Sequence, residues 1–201
     1  MASDVDICNL ALSRLGDDAN IVSINPPEGS PQAEHCARFY PLARDVLLQM
    51  HPWSFAVREE TLAPLAQTGA GWAYVYTQPA QALSVLAVLP AHSQEPTTRT
   101  KFVTQMNAYG HVIILTNEAN ARVRFVARVT DSTQFPPLFV DALAWLLASY
   151  LAGPILKGDV GAGQARACLQ GFNATFAQAR LADAHQRHAP PEHTPAWMAA
   201  R

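Results

Sequence analysis

Between Leu138 and Leu156 the chain reads LFVDALAWLLASYLAGPIL, nineteen residues in which Asp141 is the only charge. That length approaches what a bilayer-spanning helix requires. An apolar surface on every side is equally what the centre of a helical bundle requires. Three features favour the bundle: Asp141 inside the first turn, Pro154 near the far end, and no cluster of Lys or Arg on either flank. The expectation is a buried central helix and no membrane partner. The rest of the chain must then supply the surfaces that bury it. With 201 residues, 49% of them hydrophobic and 15% charged, it has the material for a sizeable core.

The flanking sequence reads as more helix. Ser3 precedes a run with Asp6 three residues on, a capping-box pattern. Val5, Cys8, Ala11, Leu12 and Leu15 then keep helical spacing, which predicts a helix over 4–15 with Gly16 as its stop. A turn-rich link holding Pro26, Pro27 and Gly29 leads to Ser30 and Pro31, an N-cap followed by proline at the first helical position. This second helix is expected to kink or break at Pro41. It should end at His51-Pro52, because a residue before proline avoids the helical region. Gly158, Gly161 and Gly163 predict a junction before a last helix over 162–186, with Cys168, Leu169, Phe172 and Phe176 on its apolar face.

Strand patterns lie between these helices. Residues 72–76, 83–89, 100–106, 111–116 and 122–129 have β-branched or alternating character, and the third and fourth flank a loop ending in Gly110. In the last of them Val123, Phe125, Ala127 and Val129 share one face, while Arg122, Arg124 and Arg128 share the other. The whole predicts an α+β fold: about four helices in a bundle, with a small inserted antiparallel sheet of about four or five strands. The bundle would comprise 1–60 and 131–186, the β-rich insert 72–130, and an extended C-terminal arm 187–201.

Signatures of chemistry are sparse. A formal charge of −2 gives no global field for nucleic acid. Cys8, Cys36 and Cys168 are odd in number and widely spaced, which suits a reducing compartment rather than a disulfide framework. The N-terminus has no basic region before its apolar residues, so it does not read as a secretory signal. GDVGAG at 158–163 follows a helix, not a strand, and is not a dinucleotide fingerprint. His35 beside Cys36, and His185 with His188, lack the converging third ligand that zinc needs, and His193 lies in the tail. Glu28, Glu34, Glu59 and Glu60 leave open a pair of acids across a cleft, as in a muramidase-like peptidoglycan hydrolase. The expectation is nonetheless no catalytic residue, no metal and no cofactor. The arginine stripe has two readings, a solvated edge-strand face or a surface for an acidic partner, either another subunit or passing DNA.

One ordered set of motifs is more specific. ICNLALSRLGD (7–17), a Pro/Gly loop, Tyr40-Pro41-x-Ala43-Arg44-Asp45, then His51-Pro52-Trp53-Ser54-Phe55-Ala56, resembles head-to-tail adaptors of short-tailed bacteriophages, also called tail tubular protein A or tail accessory factors. WAYVYTQPAQALSVLAV (72–88) is similar to the Tyr-x-Tyr, Pro, apolar-strand segment of that family, and 135–151 to its Ala/Leu-rich helix. The resemblance implies a structural virion protein that forms a ring, typically dodecameric, between the portal protein and the tail nozzle or tubular protein. Such a ring continues the channel for double-stranded DNA. It implies a place in the tail or neck of the virion, after assembly in the host cytoplasm. It also implies a portal-binding role for the arm, whose Pro195, Trp197 and Met198 would supply the anchor. Tyr40, His51, Pro52, Trp53 and Phe55 carry the resemblance as structural residues, and Arg122, Arg124 and Arg128 become candidates for a channel or subunit interface.

Overall fold

The computed structural model describes residues 2–18, 20–66, 71–91 and 100–186. Four helices and two small antiparallel sheets make an α+β fold. Helix α1 (Asp4–Ser13) opens with the expected box: Ser3 Oγ accepts from the Asp6 backbone at 3.1 Å, and the Asp6 carboxylate accepts from the Ser3 backbone at 2.8 Å. It ends at Ser13, before the expected Leu15, and Gly16 takes the left-handed conformation with φ of 75°. Asn9 fastens the following link by a pair of hydrogen bonds to the backbone of Ile21, at 2.9 and 3.0 Å.

Helix α2 (Pro31–Met50) is capped by Ser30 and stops at His51, whose extended backbone precedes Pro52. The expected break at Pro41 does not occur. Pro41 lies on the exposed face, where water can serve the Ala37 carbonyl that lacks an amide donor.

Six strands follow: β1 (Val57–Thr61), β2 (Tyr74–Thr77), β3 (Ala82–Leu89), β4 (Phe102–Met106), β5 (Val112–Thr116) and β6 (Arg122–Ala127). The single sheet of four or five strands is corrected to two three-stranded sheets, ordered β1-β6-β3 and β2-β5-β4. Strand β1 has no counterpart among the expected strands and begins within the stretch assigned to the helical body. The two sheets meet in one apolar cluster, with Tyr76 and Ile114 from the second sheet against Val88, Val123 and Phe125 from the first. Strand β6 keeps its predicted alternation from Arg122 to Ala127 but stops short of the expected 129, with Val129 packed in the helical core, and it is the central strand of its sheet and not an edge. Its Val126, on the arginine side, joins the core of the helical body.

Helix α3 (Pro137–Leu156) is the apolar stretch, and from Phe139 to Ala152 no position is exposed. It is the one helix among the described residues long and apolar enough to cross a membrane, and half of its apolar window is buried inside the fold. Its lone charge has a specific use. Asp141 forms an ion pair with Arg14 at the end of α1, and the Asp141 carbonyl accepts a second bond from Arg14 at 2.9 Å. The Arg14 guanidinium also lies 4.1 Å from the Trp145 ring centre.

Helix α4 (Gly158–Ala184) begins four residues before the expected 162, so Gly161 and Gly163 are helical and not a junction. The turn is made by Lys157 and Gly158, both at positive φ. Gly161 serves contact instead: a Cβ there would stand 2.8 Å from the Ala152 carbonyl oxygen. Gly171 likewise accommodates the Trp145 ring, which an added Cβ would approach to 2.9 Å. Small residues let α3 and α4 approach closely along the hairpin.

Candidate functional site at the bundle junction

The residues His51 to Phe55 occupy the point where the chain leaves the helices for the sheets. Pro52 stops α2 and the next residues turn inward. Trp53 is buried, and its indole donates to the Leu47 carbonyl at 2.9 Å, satisfying the polar atom that burial would otherwise strand. The Trp53 ring meets Phe139 edge-on at 5.1 Å and Phe176 at 6.0 Å. Phe55 adds contacts with Phe139 at 5.0 Å and Phe135 at 5.8 Å. Aromatic rings from the junction, α3 and α4 therefore form one continuous cluster.

A residue from the far end of the chain closes it. Asp183 on α4 is buried, and its carboxylate accepts from the Ser54 backbone at 2.8 Å while standing 3.1 Å from His51 Nε2. An acid near a helix C-terminus is disfavoured by the macrodipole, and the Ser54 amide and the His51 ring offset that cost. The carboxylate stands between the imidazole and the Ser54 backbone. The acid thus ties the last turn of α4 to the chain where it leaves α2, as a clamp does. Sequence reasoning missed Asp183. Its signal was an acid on the apolar face of a last helical turn, where neither dipole nor periodicity favours one.

Tyr40 performs a similar service higher on α2. Its hydroxyl donates to Asp4 at 2.6 Å, joining α2 to α1. Burial pushes the Tyr40 hydroxyl well above its ordinary range, and the bond to Asp4 pushes the same way. Between these helices Cys8 and Cys36 are buried together, and the Cys8 thiol is raised by its hydrogen bond with Cys36 and by burial.

The three arginines are drawn into intramolecular pairs. Arg124 contacts Glu59 on β1 at 2.6 Å, Arg122 stands 3.7 Å from the same carboxylate, and Arg128 reaches Asp45 of α2 at 2.9 Å. Glu59 faces Arg124 because the register of β1 and β6 sets them opposite each other. The neighbouring Glu60 bonds Gln81 at 2.9 Å. These adjacent acids are thus engaged separately. Glu28 accepts from the Val22 backbone at 2.7 Å and from Ser30 at 2.9 Å, and the first of these bonds chiefly holds its carboxyl below the ordinary range. Among the described residues, no group of three or more His, Cys, Asp or Glu side chains is placed to hold a metal ion. Pro195, Trp197 and Met198 lie outside the described residues.

The junction thus brings His51, Pro52, Trp53 and Phe55 together with Asp183, leaves Tyr40 as a separate tie, and pairs the arginines with acids. Aromatic packing and buried polar clamps hold the α+β fold together at this point. No family model matches the chain, and no curated protein matches it.

Proposed function

We propose that this chain is a structural virion protein, a head-to-tail adaptor that forms a ring between the portal and the tail of a short-tailed phage. The observation that carries the reading is the use of its motif. His51, Trp53, Ser54 and Phe55 are engaged in packing and in the Asp183 clamp. The task of an adaptor is to present a rigid surface to neighbours, and packing residues are its natural signature. Repeated identical contacts around an axis would close a heterologous ring, a dodecamer if the copy number follows the resemblance. The arm 187–201 would grip the portal, the opposite face would receive the tail tubular protein, and the ring would surround passing DNA.

Electron microscopy of the purified protein mixed with its portal tests this. The expected result is rings of this protein decorating the portal. A chain that stays monomeric and never decorates the portal overturns the reading. Deleting 188–201 sharpens the test, because the shortened protein is expected to fold and fail to attach.

A further inference from the structure

An apolar cavity of about 290 Å³ opens beside the junction, walled by Trp53, Pro136, Leu138, Phe139 and Ala182. Among the described residues, the polar ones in its lining are Asp183 and Gln186. Trp53 and Phe139 are buried behind it, whereas Leu138 at the mouth is 36% exposed. Gln186 is also the last described residue, so the chain departs from the rim of this cavity. Fifteen residues follow (187–201), and Trp197 is the one Phe, Trp or Tyr among them.

We propose that the cavity is the seat of Trp197 from the same chain. An indole is the large, flat, apolar group that such a hollow accommodates, and one buried aromatic anchor dominates contacts of this kind. Reach favours the chain's own residue. Ten residues separate Gln186 from Trp197, enough to span up to about 35 Å when extended, and the starting point is already at the rim. A tether this short gives an effective concentration on the order of millimolar. A second copy in dilute solution competes poorly against that. Seated this way, Trp197 is sheltered in the free protein, and any partner that uses it must first withdraw it. This inference concerns the isolated chain and stands apart from the portal reading.

The test is fluorine NMR of the full chain labelled with 5-fluorotryptophan, whose four tryptophans give four signals. Trp197→Phe assigns the signal of the arm. The expected result is a Trp197 resonance displaced from that of a free 187–201 peptide, with the displacement unchanged on tenfold dilution. Leu138→Glu at the mouth, or Ala182→Phe filling the hollow, should return the signal to the peptide position while that of Trp72 stays in place. Trp53 provides a second readout, since deleting 188–201 should move its signal and leave Trp72 unmoved. A Trp197 signal at the peptide position in the unaltered chain overturns the proposal. A displacement that fades on dilution assigns the seat to a second copy and overturns it too. A Trp53 signal that ignores the deletion is equally fatal to it.

Discussion

The helical body and the paired sheets each have an apolar interior, yet they enclose it differently. In the body the middle of α3, from Phe139 to Ala152, is enclosed, and the elements around it are tied by buried or half-buried polar links: Arg14 to Asp141, Tyr40 to Asp4, Asp183 to His51 and Ser54. The first sheet shares that core through Val126 and the partly buried Leu83 and Leu86. The second sheet is one layer further out. It joins the first through Tyr76 and Ile114, while Val103 and Met106 of β4 are exposed and Tyr109 at the hairpin tip is 76% exposed. Stability should therefore be concentrated in the body, with the outer hairpin free for contact with other molecules.

The sharpest break of that contrast would come from two aromatic truncations. Trp53→Ala removes a buried ring and the partner of the Leu47 carbonyl, and it is expected to cost about 3–5 kcal/mol. Tyr109→Ala is expected to change stability by no more than about 0.5 kcal/mol. Urea unfolding of both variants measures this. Comparable losses would mean that the hairpin carries load that its exposure denies.

A pair of glycines on α4 separates packing from helix propensity. Gly163 has nothing within 4 Å of an added Cβ, so Gly163→Ala should stabilise by up to about 1 kcal/mol. Gly161 has the Ala152 carbonyl at 2.8 Å, so Gly161→Ala should instead destabilise, by about 1–3 kcal/mol. Opposite signs in thermal melts, two residues apart on one helix, would locate the close approach of α3 and α4. Equal signs would remove it.

Asp183→Ala tests the clamp itself. It withdraws an acceptor from the Ser54 amide and the His51 ring, both beside the buried Trp53. The expected loss is about 1–3 kcal/mol in denaturant unfolding. A neutral result would leave aromatic packing alone holding the junction.

What the sequence discloses and what it hides follow the same division. Ser3, Ser30-Pro31 and His51-Pro52 are legible because capping and proline act within a few residues. The apolar α3 and the alternation of β6 are legible because their patterns are strong. Strand β1 is hidden: VREET has no apolar alternation and is almost wholly exposed, so its conformation comes from pairing with β6. Gly161 reads as a turn residue because sequence cannot distinguish a glycine needed for φ from one needed for close contact. Asp183 and the acids facing the arginine stripe are hidden for a related reason. Their partners lie far away in the chain, from Asp183 to His51 and from Glu59 to Arg124, and only the tertiary fold brings them together.

That last pair defines the smallest expected effect and decides how the arginine stripe is understood. Arg124 and Glu59 are each about a third exposed, at 27% and 35%, so water screens their attraction. Arg124→Glu sets two carboxylates opposite each other on β1 and β6, and Glu59→Arg sets guanidinium against guanidinium. Either alone should lower stability slightly, and the double exchange should recover most of it, with a coupling of no more than about 1 kcal/mol. Unfolding measurements at low and high salt complete the cycle, because an exposed pair weakens as ions screen it. Recovery in the double variant, with ring formation on the portal unchanged, makes the stripe an internal device for aligning β1 with β6. If stability recovers but ring formation does not, the position and sign of the charge matter to a neighbour, and Arg124 belongs to an interface after all.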